Sequence, residues 1–114
     1  MSGAPLLNGH AVIVADAKVR NYLLDASHPS NGGKAAFFNA FGFSLQNWTD
    51  LRDALKVHPS LHLVVNVRPN PYGAIYEVRC GLPSPDGRNP CVRSFWVIDP
   101  LNANPRLVTA YAYP

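Results

Sequence analysis

The chain of 114 residues has few charged side chains, few cysteines and no long apolar run. Charged residues make up 15% and hydrophobic ones 47%, a balance typical of a compact globular chain rather than a disordered one. No apolar run approaches the ~20 residues that a membrane helix needs, and no signal-peptide pattern opens the chain. We therefore expect one domain over residues 1–114, with 1–10 as a flexible tail or linker remnant, and no membrane partner.

Lysine is absent from residues 61–114, where every cation is an arginine. A guanidinium is a rigid fork of donors that fits a phosphate with two parallel hydrogen bonds, so this bias favours contact with phosphate or nucleic acid. The alternative is a solvated sheet face with ordinary salt bridges. The arginines are Arg68, Arg79, Arg88, Arg93 and Arg106.

The chain has two cysteines, Cys80 and Cys91, and no CxxC or histidine-rich spacing. A metal site or other cofactor is therefore not predicted. The cysteines flank a turn-rich segment, GLPSPDGRNP, and would face each other if the strands on either side pair symmetrically. The favoured expectation is two reduced, partly buried thiols.

Three helices are predicted in the first half of the chain. Asp16 and Ser44 are expected to cap the first and third, the second should start within 31–34 and end at Gly42, and the third should end before Pro59. The residues predicted to face the core are Val19, Tyr22 and Leu23, then Phe37, Ala40 and Phe41, then Trp48, Leu51 and Leu55.

Four segments rich in β-branched and aromatic residues follow, separated by turn-rich connections. They read LHLVVNVRP, AIYEVRC, CVRSFWVID and RLVTAYAY. Sequential strands with short connections predict an antiparallel meander. The expected fold class is α+β, with the N-terminal helices packed on one face of a four-stranded antiparallel β-meander and the other face open.

Two residues in the stretch HPSNGGKAAFF are candidates for chemistry. His28 lies in a predicted loop, and histidine serves as acid or base near neutral pH, although a loop histidine is more often simply exposed. Lys34 follows two glycines in the first turn of a predicted helix, where free amides favour an anion. The complete pattern of a phosphate-binding loop is missing, so the lysine alone is a weak signal.

The predicted sheet supplies further candidates. Strand alternation can gather Glu77, Arg79, Arg93 and Arg106 on one face, although a one-residue slip would exchange the faces. Thr109, Tyr111 and Tyr113 are further candidates. All three are good strand formers, and strand propensity alone is the alternative explanation for their presence. The other histidines, His10, His58 and His62, are expected to be exposed. A histidine, a lysine, arginines and tyrosines together can supply the acid, base and fixed charge that metal-independent RNA cleavage needs.

The motifs KVRNYLL, HPSNGGKAAFF, FGFSLQNW, VRSFWVI and PRLVTAY, in that order, resemble those of a family of small uncharacterised bacterial domains. Its members occur as C-terminal modules of polymorphic toxins and as free-standing proteins beside small partner genes. The layout also resembles the barnase, EndoU, colicin and RelE group of ribonucleases, which is an analogy of fold. The family pattern falls on His28, Lys34, Arg93 and Thr109, with Tyr111 or Tyr113 matching its terminal tyrosine.

The resemblance implies a toxin-type domain that acts as a metal-independent endoribonuclease in the cytoplasm of the producer or of a target cell. His28 would be the acid or base, Lys34 and Arg93 would hold phosphate, and Thr109 and Tyr111 would orient the substrate. Arg79 and Arg106 are predicted to bind substrate. The expected partners are RNA and an acidic immunity or antitoxin protein. Two alternatives stay open: a non-catalytic immunity or antitoxin-type partner, and a nucleic-acid-binding module.

Catalysis also implies a geometry. His28, Lys34, Arg93 and Thr109 should line one concave surface, because catalytic groups must lie within reach of the same reacting atoms.

Overall fold

Three helical segments precede a four-stranded antiparallel sheet in the computed structural model, which describes residues 3–71 and 73–113 without the side chains of 102 and 103. The helices are α1 (Asp16–Lys18), which continues as a π-helical turn (Val19–Leu23), α2 (Lys34–Ala40) and α3 (Trp48–Leu61). The strands are β1 (Val64–Asn70), β2 (Gly73–Gly81), β3 (Cys91–Asp99) and β4 (Asn102–Ala112), in the order β1-β2-β3-β4. The predicted α+β fold is confirmed. In the ranges described, no helix has the length and apolar character to cross a bilayer.

One face of the sheet forms the core with the helices, and the other is open. Val78, Val92, Trp96 and Ala110 are fully buried in one cluster with residues of the π-helical turn, α2 and α3. Arg79, Arg93 and Tyr111 are cross-strand partners in register on β2, β3 and β4. Cross-strand partners share a face, so these three side chains lie together on the open side.

The first helical segment differs from its prediction in two details. Asp16 is its first helical residue rather than its cap, and Ala15 precedes it without a side-chain capping bond. Val19 and Leu23 are buried as expected, but Tyr22 is only half-buried. The π turn between them is wider than an α turn, so the regular 3.6-residue spacing used for the prediction does not apply there.

The buried face of α2 was predicted wrongly. Ala35 and Phe38 are buried, whereas Phe37 and Phe41 are half-buried and Ala40 is exposed. The true face is one residue out of step with the predicted one, and each residue rotates a helix face by about 100°. The end of α2 is confirmed, since Gly42 follows it with a φ of 99° that glycine adopts readily.

Both predicted ends of α3 were wrong. Ser44 does not cap it: the Oδ1 of Asn47 accepts hydrogen bonds from the Ser44 N–H at 2.6 Å and its hydroxyl at 2.7 Å, and the helix begins at Trp48. Pro59 lies inside the helix, which continues to Leu61. So close to the C-terminal end, the hydrogen bond that proline removes is one of the last in the helix.

The N-terminal segment packs against the rest of the domain where the structure describes it. Ala4 forms an antiparallel bridge with Val64, and Leu6 is buried in the core. This packing covers part of the edge of β1, which sequence periodicity alone does not reveal.

Cys80 and Cys91 form a disulfide, so the expectation of two reduced thiols was wrong. The register places Cys80 opposite Val92 and Gly81 opposite Cys91, at the ends of β2 and β3 where the loop begins and returns. The cysteines are thus offset by one residue rather than directly opposite, and their Cα atoms lie 4.1 Å apart, close enough for the sulfurs to bond.

His58 is buried at the centre of the molecule, and the prediction that it is exposed was wrong. Its Nε2 lies 2.6 Å from the Cys80 carbonyl, which only accepts, so Nε2 carries a proton. Its Nδ1 then accepts from the Ser94 hydroxyl at 2.7 Å, and the Ser94 oxygen accepts from the Trp96 indole N–H at 2.8 Å. His62 is half-buried rather than exposed and bonds the Gly81 carbonyl, while His10 is exposed as expected.

We expect this network to make the domain acid-sensitive. Burial lowers the pKa of His58 to about 4, against the opposing effect of its Cys80 hydrogen bond and with help from neighbouring His62. The unfolded chain therefore binds a proton at higher pH than the folded one. The stabilisation that neutral, buried His58 contributes is complete above about pH 6.5 and is lost as the pH falls towards 4. The free energy of unfolding changes by about 3 kcal/mol over this range.

Urea denaturation at steps between pH 7 and pH 4.5 measures that change. His58→Gln should remove most of the slope, and His10→Gln, at an exposed histidine, should keep it. A slope unchanged in His58→Gln would contradict the assignment to His58.

Candidate functional site

The Lys34 ammonium lies between two tyrosine rings. Gly33 precedes α2 with a φ of 86°, and this left-handed turn makes Lys34 the first helical residue. Its Nζ donates to the Asn31 carbonyl at 3.1 Å. The same atom lies 5.4 Å from the Tyr22 ring centroid and 5.5 Å from that of Tyr111, both within cation–π range. Lys34 thereby connects the π turn to β4.

His28 and Thr109 both contact Tyr22. The Tyr22 hydroxyl and Thr109 Oγ1 lie 3.3 Å apart, and the His28 ring meets the Tyr22 ring edge-on with centroids 5.0 Å apart. The Ser30 N–H donates to His28 Nδ1 at 3.0 Å. The proton of the neutral imidazole is therefore on Nε2, which is left to donate to a ligand.

Arg93 reaches the same cluster from β3. Its guanidinium carbon lies 5.3 Å from the Tyr111 ring centroid and 5.0 Å from that of Tyr113. Phe95 lies two residues after Arg93 on β3, and its ring stacks on the Tyr111 ring with centroids 5.3 Å apart. Within the described residues, Arg93 Nε is buried and has no hydrogen-bond partner. A buried N–H without an acceptor is costly, so an anion bound here would satisfy it.

The structure brings the five predicted catalytic residues into one cluster. His28 and Thr109 meet at Tyr22, Lys34 joins Tyr22 to Tyr111, and Arg93 packs on Tyr111. The surface is not the single concavity that was expected. Two shallow depressions adjoin instead, one of about 640 Å³ beside His28 and Thr109 and one of about 330 Å³ beside Lys34 and Tyr111. Tyr22 and Lys34, which contact each other, line one depression each.

The two predicted substrate-binding arginines lie at different distances from the cluster. Arg79 is paired in register with Arg93, and its guanidinium carbon lies 4.4 Å from the Tyr113 ring centroid. Its Nε forms a salt bridge with Glu77 at 2.6 Å. Arg106 is opposite Val97, five residues before Tyr111 on β4 and so roughly 15 Å away along the strand. Arg106 is outside the cluster.

Sequence reasoning missed Tyr22 as a site residue, because helical spacing assigned it to the core. Burial raises the pKa of Tyr22, but the hydrogen bond with Thr109 and the ammonium groups of Lys34 and Lys18 outweigh this effect and lower it overall. The lysines at positions 18 and 34 are what could have pointed to Tyr22 in the sequence. Their proximity to its ring, however, depends on the fold. A lowered pKa makes the phenol easier to ionise, and only the ionised form can accept a proton.

No group of three or more histidine, cysteine or carboxylate side chains is placed to hold a metal ion in the ranges 3–71 and 73–113. The cluster itself contains cations, hydroxyl groups and an imidazole.

Residues 5–114 match the family described as "Domain of unknown function (DUF6883)". The chain belongs to this family. No curated protein matches it. The fold of this DUF6883 domain is similar to that of a chain in a structure titled "Contact-dependent growth inhibition toxin - immunity protein complex from Klebsiella pneumoniae 342". The TM-score is 0.68, the sequence identity 15%, and the match covers 87% of this chain and 97% of the other.

That structural match shows a shared fold. The resemblance to the barnase, EndoU, colicin and RelE ribonucleases stays a prediction, as do the catalytic roles of the cluster residues.

The lowered pKa of Tyr22 depends on Lys34, and a substitution can test this. In Lys34→Met the phenol should titrate at higher pH than in the wild type, because the ammonium group that lowers the Tyr22 pKa more strongly than Lys18 does is gone. NMR titration of ring-labelled tyrosine follows each phenol, with Tyr22→Phe assigning the signal. Lys56→Met, on the exposed side of α3, is the matched control and should leave the titration unchanged. An unchanged Tyr22 titration in Lys34→Met would show that the ammonium does not act on it.

Proposed function

We propose that this DUF6883 domain is a toxin-type endoribonuclease that cleaves RNA without a metal ion. The observation that carries the proposal is the pair of cations at the Tyr111 ring, the Lys34 ammonium at 5.5 Å and the Arg93 guanidinium at 5.3 Å. Beside them, Tyr22 and His28 provide groups for proton transfer. The fold shared with a chain of a toxin–immunity complex supports a toxin or immunity-type role.

The proposed reaction uses the 2′-hydroxyl of RNA as the nucleophile. Tyr22, once it has lost its own proton, accepts the proton of the 2′-hydroxyl, the 2′-oxygen attacks phosphorus, and the bond from phosphorus to the 5′-oxygen breaks. Lys34 and Arg93 neutralise the negative charge that grows on the phosphoryl oxygens. Thr109 orients Tyr22 through their 3.3 Å hydrogen bond.

His28 is the proposed acid for the leaving 5′-oxygen. In the protonated ring both nitrogens carry protons, so the Ser30 N–H must release Nδ1 before His28 gives up its Nε2 proton. Binding of RNA in the adjoining depression would accompany that local rearrangement.

The proposed place of action is the cytoplasm, where RNA is available, of the producing cell or of a target cell. The disulfide between Cys80 and Cys91 fits a protein that is exposed to an oxidising environment on the way. A free-standing cytoplasmic protein would instead carry these residues reduced.

The producing cell must block such an activity, and we propose an acidic immunity or antitoxin protein as the partner. The open sheet face presents Arg79 and Arg93 side by side. A partner that covers them with carboxylates would be steered by charge and would close access to Lys34 as well.

RNA cleavage by the purified domain tests the function directly. Wild-type protein should cleave RNA in the presence of EDTA, leaving a 2′,3′-cyclic phosphate. His28→Ala, Tyr22→Phe and Arg93→Ala should each lower the rate about 10²- to 10⁴-fold. Circular dichroism and thermal unfolding check that each variant is folded.

The matched controls are His10→Ala, at an exposed histidine, and Arg52→Ala, whose guanidinium packs on Trp48 of α3. Both should cleave at the wild-type rate. If the folded wild-type protein leaves RNA intact and expression does not slow bacterial growth, the non-catalytic immunity-type role replaces this proposal.

Association with the partner should depend strongly on salt. The association rate with an immunity-type protein encoded beside this chain should fall steeply as salt rises from about 0.01 M to 0.15 M, because screening shortens the reach of charge from ~30 Å to ~8 Å. Stopped-flow mixing measures the rate. Arg79→Ala should slow the encounter and Arg52→Ala should not. A rate that is flat across this range would exclude a charge-steered partner.

A further inference from the structure

Cations and tyrosine rings alternate without a break from the π turn to the open face of the sheet. Each neighbouring pair in the series is a cation–π contact, with distances from 4.4 to 5.5 Å between charge and ring centroid. We call this series the cation–tyrosine track. Its members, in order, are Lys18, Tyr22, Lys34, Tyr111, Arg93, Tyr113 and Arg79.

The track extends well beyond the proposed cleavage centre. His28, Tyr22 and Lys34 lie towards its first end, whereas Tyr113 and Arg79 lie on the sheet at the other. Substrate cleavage at one phosphate requires only the first part. The second part is a surface that the proposed reaction does not use.

Tyr113 is the accessible ring of this second part. It is 38% exposed, and its N–H donates to the Cys91 carbonyl at 3.1 Å, which holds its backbone on the end of β3. Arg79 and Arg93 lie 4.4 and 5.0 Å from its ring centroid. A planar base that stacks here would have a fixed ring and two guanidinium groups beside it.

The charge of the track matches a polyanion. It carries four cations, and the Glu77 carboxylate, which is almost completely buried, offsets the charge of Arg79. Arg93 Nε is a buried donor with no partner in the part of the chain that is described, which is the state expected of a group awaiting an anion.

We propose that the cation–tyrosine track binds unpaired, single-stranded RNA, with a base next to the scissile phosphate stacked on Tyr113 and its neighbouring phosphates on Arg79 and Arg93. The RNA identity rests on the proposed function. A single strand presents phosphates and bases in alternation, which is the pattern of charge and ring along the track. In a duplex the base faces are stacked inside, so rings on the protein have no base to contact.

Binding can be measured separately from cleavage. A fluorescent single strand of about ten nucleotides with 2′-O-methyl groups has no free 2′-hydroxyl to act as nucleophile, so its anisotropy reports binding alone. The same sequence annealed to its complement is the duplex probe. The wild-type domain should bind the single strand at least about tenfold more tightly than the duplex.

A matched pair of ring substitutions tests Tyr113. Tyr113→Leu should weaken binding of the single strand about tenfold, and Tyr113→Phe, which keeps the ring, should retain most of it. The control is Phe41→Leu, because Phe41 also has an arginine at 4.4 Å, Arg88, but lies outside the track. It should bind as the wild type does.

The salt dependence tests the arginines. In Arg79→Ala, the slope of log affinity against log salt should become shallower by about 0.7, the value for one phosphate contact with a single strand. Arg52→Ala should keep the wild-type slope.

Two results would contradict the proposal that the cation–tyrosine track binds single-stranded RNA. One is equal affinity for the single strand and the duplex, and the other is unchanged binding in folded Tyr113→Leu. Because the probe cannot be cleaved, tight and ring-dependent binding by a protein that leaves natural RNA intact would refute the ribonuclease while leaving the track in place.

Discussion

The arrangement of the whole site depends on burial along β3. Val92, Ser94 and Trp96 alternate along this strand and are completely buried against the helices. Since side chains alternate between the faces of a strand, Arg93 and Phe95 lie on the other face, where Phe95 is itself buried and stacks on Tyr111. A slip of one residue would place the Arg93 guanidinium in the apolar core. Burying an unpaired charge has a large free-energy cost, so the observed register is strongly favoured.

Buried hydrogen bonds at Ser94 reinforce this strand register. The Ser94 hydroxyl bonds His58 of α3 and accepts from the Trp96 indole, so a helix, a strand and a buried ring are locked in one orientation. Buried hydrogen-bonding groups are costly when unpaired, and an alternative register would leave three of them without partners. The apolar core supplies the stability, and this network selects the register.

Placing several cations close together has an electrostatic cost that the tyrosine rings reduce. Lys34 and Arg93 both lie within cation–π range of Tyr111, whose electron-rich ring attracts both charges. Asn31 contributes locally: its carbonyl accepts from Lys34, and its side chain donates to the Tyr22 carbonyl at 2.6 Å. The loop before α2 is thereby held against the π turn, which brings two distant parts of the chain to β4.

The immediate surroundings of a residue and its long-range position were predictable to different degrees. Alternation of apolar and polar residues predicted the four strands and their order, because each strand follows its neighbour through a short turn. It did not fix the register, which decides which face carries Arg79 and Arg93. The burial of the histidines was harder to predict. His58 looks like a polar residue beside a proline, and its burial depends on Ser94 and Cys80, which are 36 and 22 residues away.

The sequence by itself determined the α+β class and the four strands of the meander, because these follow from local periodicity and turn residues. It also supplied the charges of the site. Only the tertiary structure decided that Tyr22 leaves the core, that Cys80 and Cys91 bond, and that Lys34 meets Tyr111. These contacts join residues from distant segments, and their distances depend on how the π turn, the glycine turn before α2 and the sheet register combine in three dimensions.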